Sequence, residues 1–330
     1  MRDQYLDSSK AILIFLVVWG HFLERFIGWG EPTSHTLLGV IYFIHMPAFI
    51  FISGLLFKDK NWFKNIIFFL SLYLPFQFLF PAFDALWTGK FNFNWINWFE
   101  RPYWVLWYLM GMMVWTLFTY FLKKMPLPVL ASLALALFVG LSPWNNYQYS
   151  IGRIFVFLPF FVIGHMYGKI ILQSIQDFKF STIIGLFVLL GIVALVYTTH
   201  LNQYWLYGSL SYRQLKVSVM DGTLIRAGCL LVSSLGVCAI FSLSKLIKSH
   251  FIQLGAHTLP VYLLHGFVVI FLSHYLKLNF NIGLKIFICL LLALLTCWVL
   301  QQVMFDRLLR YLSLWLMKPT EKLWHKKITS

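Results

Sequence analysis

Ten apolar runs, each close to the length of a membrane span, decide what this chain can fold into. A hydrocarbon core about 30 Å thick is crossed by about 20 helical residues at a rise of about 1.5 Å each. The runs fall at 8–28, 37–57, 63–83, 102–122, 127–143, 151–169, 180–199, 223–245, 256–276 and 282–305. They occupy most of the 330 residues and leave no room for a separate soluble domain. Composition points the same way, with 60% hydrophobic, 19% aromatic and only 11% charged residues. The expected fold class is all-α, a polytopic integral membrane bundle of about ten transmembrane helices.

The first run is not read as a cleaved leader, because no small-residue cleavage site follows it and Gly-His-Phe-Leu-Glu-Arg makes an odd exit. The net charge of +15 does not signal nucleic acid, since the basic residues punctuate the spans and form no patch interleaved with aromatics. They sort instead by side. Threading ten spans with both termini inside puts seventeen of the 26 lysines and arginines on the inner face and eight on the outer, with Arg226 inside a span. That excess predicts an N-in, C-in orientation, in a plasma or inner membrane. The cysteines Cys229, Cys238, Cys289 and Cys297 all fall inside spans without CxxC spacing and are expected to be small core residues.

Inner connections such as KDKNWFK, KKMPLP and KLIKSH are short and basic, as tight helical hairpins are. The outer segments 84–101 and 200–222 are rich in Trp, Tyr and Asn; an interfacial aromatic belt is expected there, with an outward sugar site as the alternative. Segment 307–330 mixes Leu and Trp with Arg and Lys and reads as a basic amphipathic helix on the inner leaflet, leaving 1–306 as the membrane domain.

Ionisable residues at membrane depth are costly unless they face a bundle interior or water, so each one is a candidate for function. His21 follows Lys10 by eleven residues, which brings the two to one helix face about 16 Å apart. Counted along their spans, His45 lies about 18 Å and His265 about 15 Å from the inner ends, so all three histidines reach the midplane. Spans 1 and 2 are joined by a short loop, and His21 and His45 are therefore expected to face each other. A lone intramembrane histidine also serves simply as an interhelical hydrogen-bonding group, and for His265 that reading stands equally.

A buried neutral imidazole can take the proton from a hydroxyl, and Glu24, one turn beyond His21, can hold its productive tautomer. Lys10 is too distant for the chemistry but suits an anion at the inner mouth, with a pantetheine-length arm reaching His21. Lys58, Lys60 and Lys64 could also meet donor phosphates, although topology signalling explains them equally well. Ser53-Gly54 reads as a packing pair, and Arg226 as a snorkelling side chain or a partner of Asp221. No P-loop, GxSxG or HExxH motif is present.

Five segments then give the chain a resemblance: YLDSSKAILIFLVVWGH (5–21), IYFIHMPAFIFISGLLF (41–57), YWVLWYLMG (103–111), FLPFFVIGHMYGK (157–169) and LGAHTLPVYLLHG (254–266). In this order it resembles the acyltransferase 3 family of integral membrane acyltransferases, especially fucose 4-O-acetylase-like glycan O-acetyltransferases. The resemblance implies a ten-helix bundle moving an acyl group, usually acetyl, from cytoplasmic acyl-CoA to a sugar hydroxyl, with no metal. The family's basic-residue-x10-His motif falls on Lys10 and His21, its span 2 histidine on His45 and its late Tyr-Leu-Leu-His on Tyr262 to His265. His21 is then the expected catalytic base, with His45 and Glu24 assisting. Lys10, Lys58, Lys60 and Lys64 are expected on the donor, and Trp104, Trp107 and His265 on the acceptor. Lys10 stands where arginine is commoner, and the arginine pair many relatives carry in the next inner loop is absent.

The implied partners are acetyl-CoA or another acyl-CoA, a hydroxyl of a cell-surface or lipid-linked glycan, membrane lipids, and a second copy of the chain or polysaccharide-synthesis machinery. Two readings of other classes stand beside this one. A proton-coupled transporter or glycan exporter would use the midplane histidines as a relay, but the chain lacks paired broken spans in matching halves. A scaffold subunit would not need His21.

Overall fold

The computed structural model describes residues 4–89, 99–144, 146–247 and 252–328, with backbone alone for 252 and for 319–328. Helices account for most of the described chain and no strand occurs in it. They are α1 (Gln4–Phe26), α2 (Pro32–Leu56), α3 (Trp62–Thr88), α4 (Trp107–Leu122), α5 (Pro128–Phe138), α6 (Ile151–Asp177), α7 (Ser181–Thr199), α8 (Gln203–Tyr207), α9 (Val219–Ser244), α10 (Ile252–Ala256), α11 (Thr258–Tyr275), α12 (Ile282–Leu300) and α13 (Val303–Ile328). Nine helical segments among the described residues are long and apolar enough to cross a membrane.

The tenth expected span, 127–143, is the exception: its apolar helix covers only Pro128–Leu141. At about 1.5 Å per residue it falls short of the hydrocarbon core. The loop after α8 covers its far end, where the Tyr212 amide donates to Gly140 O at 2.8 Å and the Tyr212 hydroxyl to Leu137 O at 3.0 Å. Carbonyls that a helix end leaves open are thus met by a side chain and a backbone amide from much later in the chain.

Local rules set the other ends. Glu31 caps α2 by accepting from the Ser34 amide at 2.6 Å, with Pro32 at the first helical position. Ser218 caps α9, accepting from the Asp221 amide at 3.1 Å and donating to the Asp221 carboxylate at 2.7 Å. Asn281 caps α12 through the Leu284 amide at 2.9 Å. Lys245 closes the other end of α6, donating to the carbonyls of Gln176 at 3.0 Å and Phe178 at 3.3 Å.

Helices α1 and α2 form the middle of the bundle, α1 packing on α2, α10, α11 and α12, and α2 on α6, α7 and α9. The most apolar window of α2 is 78% buried in protein, against 17% for α7 and 22% for α12. The outer helices therefore present Leu, Ile and Phe to lipid, which is as apolar as they are. Helices α2 and α6 cross in close contact, where a Cβ on Gly54 would overlap the Phe161 carbonyl and one on Gly164 the Phe51 carbonyl. Two backbones touch there because neither has a side chain in the way. His45 precedes Gly54 and Arg153 precedes Gly164 by about three turns or less, so this crossing also sets the depth of both.

Several expectations are corrected. Arg226 neither snorkels nor pairs with Asp221: it is 1% exposed, donates to Leu210 O at 2.8 Å and lies 5.0 Å from the Tyr212 ring and 5.6 Å from that of Trp205. The same cluster overturns the belt expected at 200–222, since Trp205 and Tyr212 pack inward around the guanidinium. In the other expected belt, residues 90–98 lie outside the described residues, as do 248–250 of KLIKSH. Cys238 is exposed on the bundle surface, while Cys289 and Cys297 are buried. The last helix begins at Val303, earlier than expected, and docks one face on the bundle: Ser313 shares a 2.6 Å hydrogen bond with Ser71, and Leu309 and Met317 are buried.

Candidate active site

Because α1 is unbroken, Lys10, His21 and Glu24 ride on one rigid rod, Lys10 and His21 about 16 Å apart along it. The His21 ring stacks on His265 of α11 with centroids 5.3 Å apart and 20° between planes. Trp104 meets it edge-on at 4.7 Å. On the remaining side, His21 Nδ1 stands 3.5 Å from Glu24 Oε2, an ion-pair distance longer than an ordinary hydrogen bond.

Glu24 is the most heavily engaged group in the site. Tyr42 of α2 donates to its Oε2 at 2.6 Å, Tyr207 of α8 donates to its Oε1, and Trp29 Nε1 reaches the same oxygen at 3.3 Å while donating to Tyr207 at 2.7 Å. Three converging donors suit an ionised carboxylate, which only accepts. His21 turns Nδ1 toward this carboxylate without closing a hydrogen bond to it, and Nε2 lies on the far side of the ring.

The other two midplane histidines are fixed differently. His45 Nδ1 lies 2.6 Å from Ile41 O and His265 Nδ1 2.9 Å from Val261 O. A carbonyl only accepts, so in each ring Nδ1 carries the proton and Nε2 of the neutral ring is a base. His265 bonds within its own helix and not across an interface. His45 looks into the site from beside Tyr42, whose ring is 4.8 Å away.

Two cavities meet at His21. One, of about 240 Å³, is lined by His21, Glu24, Tyr42, His45, Trp107, Arg153, Tyr207 and Tyr262 among others. The second, of about 320 Å³, is lined by His21, Glu24, Arg25, Asp84, Tyr103, Trp104 and Ile270. His21, Glu24 and Trp104 line both, so they form the partition. Trp104 has a φ of 34°, an uncommon conformation for a bulky residue.

Of the residues singled out in the sequence, His21, Glu24, His45, Trp104 and Trp107 come together around the first cavity. His265 lines neither cavity and reaches the site only through the face of His21. Lys10 lines neither, and its ammonium is bound to the buried Asp7 carboxylate at 2.7 Å. Lys58, Lys60 and Lys64 are exposed at the Lys10 end of the bundle. There Asp59 is tied to Lys123, which joins the two neighbouring loops. Ser53 shares a 2.7 Å hydrogen bond with Tyr108, a packing role as expected.

Four residues of the site were missed. Arg153 lies two residues inside an apolar run and carried the same signal as His21, an ionisable group at membrane depth. Tyr42 stands one turn before His45 and shares its face. Trp29 and Tyr207 carried no local signal, since their meeting with Glu24 depends on how the 200–207 segment docks. Among the described residues no three His, Cys, Asp or Glu side chains gather as metal ligands.

A helical bundle with a histidine, a carboxylate and two cavities inside its membrane-spanning part is a multi-pass membrane protein with the makings of a transfer site. Its residues 3–302 match the acyltransferase domain family known as acyltransferase 3, and the chain belongs to that family. It is a membrane acyltransferase. No characterised protein sequence and no solved structure matches it.

Proposed function

We propose that the protein is an O-acetyltransferase of the plasma membrane, moving acetyl from cytoplasmic acetyl-CoA to a hydroxyl of a cell-surface or lipid-linked glycan. The observation that carries this reading is the position of His21, on the wall between two cavities with Glu24 behind its Nδ1. The acceptor hydroxyl gives its proton to His21 Nε2 as its oxygen attacks the thioester carbonyl carbon. Glu24 offsets the positive charge that forms on the ring. When the tetrahedral intermediate collapses, the C–S bond breaks and the proton passes from His21 to the thiolate, leaving the acetyl ester and free coenzyme.

His45 Nε2, a lone-pair acceptor in the neutral ring, suits a proton shuttle; binding an oxyanion would require the ring to be protonated first. Lys10, Lys58, Lys60 and Lys64 supply positive charge for the donor's phosphates at the inner mouth. The aromatic faces of Trp104 and Trp107 suit a sugar ring.

The test is transfer of radiolabel from acetyl-CoA to glycan in membranes carrying the protein, with His21→Ala as control. Loss of transfer by at least about 100-fold, with expression and insertion intact, is expected. A well-inserted His21→Ala protein that still transfers label overturns the assignment.

A further inference from the structure

Among the described residues, Arg153 is the one guanidinium on the wall of the cavity that holds His21, Glu24 and His45. It is fixed by aromatic faces: its Cζ lies 5.2 Å from the Tyr207 ring centre, 5.4 Å from Trp107 and 5.8 Å from Tyr147. These contacts hold a cation in place while leaving its N–H fork unspent. Its Nε is buried without a hydrogen-bond acceptor, and among the described residues no carboxylate pairs with it. The cavity's own carboxylate, Glu24, is already taken by Tyr42, Tyr207 and Trp29.

A buried guanidinium donor without an acceptor is expensive in a native protein unless something else meets it. Here the open side of the group is the cavity itself. The cavity, of about 240 Å³, is walled by Trp107, Tyr147 and Tyr207 beside Arg153, and such flat aromatic faces suit a sugar ring. Arg101 also lies against Tyr147, its Cζ 4.6 Å from the ring centre, and places a second positive charge beside this wall residue.

We propose that Arg153 is the anion-binding residue of the acceptor subsite, and that the sugar placed before His21 carries a carboxylate or phosphate group. The fork takes two oxygens of that group while the sugar ring lies among Trp107, Tyr147 and Tyr207. The charge thereby selects the acceptor and turns one of its hydroxyls toward the imidazole. This reading rests on the transfer site proposed above, but its test needs no transfer.

Purified protein in detergent or nanodiscs is titrated with glucuronate, glucose 1-phosphate, inorganic phosphate and glucose, without acetyl-CoA, and binding is followed by thermal shift. Glucuronate or glucose 1-phosphate is expected to bind about tenfold or more tightly than glucose. Whichever of the two wins identifies carboxylate or phosphate, and both should exceed inorganic phosphate, which has no ring to stack. Arg153→Gln should abolish the preference over glucose, and Arg153→Lys should restore part of it, keeping charge without the fork. Equal binding of glucose, no response to either anionic sugar, or a preference that survives in Arg153→Gln overturns the proposal. If Arg153→Gln does not fold, the ranking of the four probes on the native protein decides alone. Failure of acetyl transfer in a separate assay leaves this result standing, and the reverse holds equally.

Discussion

His21 and His265 stack ring on ring, 5.3 Å between centroids and 20° between planes, yet the two imidazoles have different surroundings. His21 faces a carboxylate and two cavities; His265 faces its own helix and is fully buried. In the transfer site proposed above, the first is the group placed for chemistry and the second the group that holds it in place.

That division predicts how His265 tolerates change. His265→Phe keeps a flat ring behind His21 and should leave a folded protein with transfer reduced about tenfold or less. His265→Ala opens a hole under the ring and should cost about 3 kcal/mol or more of stability. Thermal melting beside the radiolabel assay distinguishes the two; a His265→Phe protein as dead as His21→Ala would place His265 in the chemistry.

The hydrogen bonds to Glu24 predict a graded series. Glu24→Gln removes the charge that balances the imidazolium and turns an NH₂ toward a ring of donors, so kcat should fall about 100-fold or more. Tyr207→Phe removes one donor and leaves the charge, with a loss nearer tenfold. Neither should raise the KM for acetyl-CoA, because Glu24 lies far from the Lys10 end. A selective rise in that KM would argue against the orientation assigned to the donor.

Lys10 and Asp7 act as one unit. Lys10→Ala takes one partner from the Asp7 carboxylate, which is 3% exposed, and losing part of a buried charge network should lower the melting temperature. The double variant Asp7→Asn, Lys10→Ala should recover most of that stability. If the double variant then shows a KM for acetyl-CoA raised about tenfold or more, Lys10 binds the donor; an unchanged KM makes the pair purely structural.

The α2–α6 crossing predicts the sharpest steric contrast. Gly54→Ala drives a methyl into the Phe161 carbonyl, and only backbone movement relieves it. A loss of about 2 kcal/mol or more is expected, with weakened transfer because His45 and Arg153 shift together. Gly191→Ala, where a Cβ meets nothing within 4 Å, should melt like the native protein or slightly above it.

Much of this site could be read from order and depth along the chain. An unbroken apolar run with one histidine and one glutamate a turn apart brings His21 and Glu24 side by side, because a helix fixes such geometry by itself. His45 followed from the hairpin joining α1 and α2. Arg153 obeyed the same rule but was counted as an outer topology charge, since only two residues separate it from the end of its helix. Tyr207 and Trp205 look like interfacial aromatics by composition, and only the buried Arg226 and the short α5 draw that loop inward. The Lys10–Asp7 pair was a turn apart on one helix and legible in principle; the charge pattern was read for topology alone.

The bond between Glu24 and Tyr207 spans 183 residues, and that separation has a meaning for how the protein is made. Synthesis delivers the carboxylate early, with the first helix, and the tyrosine that satisfies it only after six more, α2 to α7. Until then the oxygen that Tyr207 and Trp29 share lacks its main donor, and the first cavity lacks the wall that Leu206 and Tyr207 provide. Assembly of the centre is thus a late event, completed after the scaffold that houses it has been inserted. A nascent chain arrested before residue 203 would span the bilayer several times and contain every midplane histidine but His265, without being able to close the site around His21.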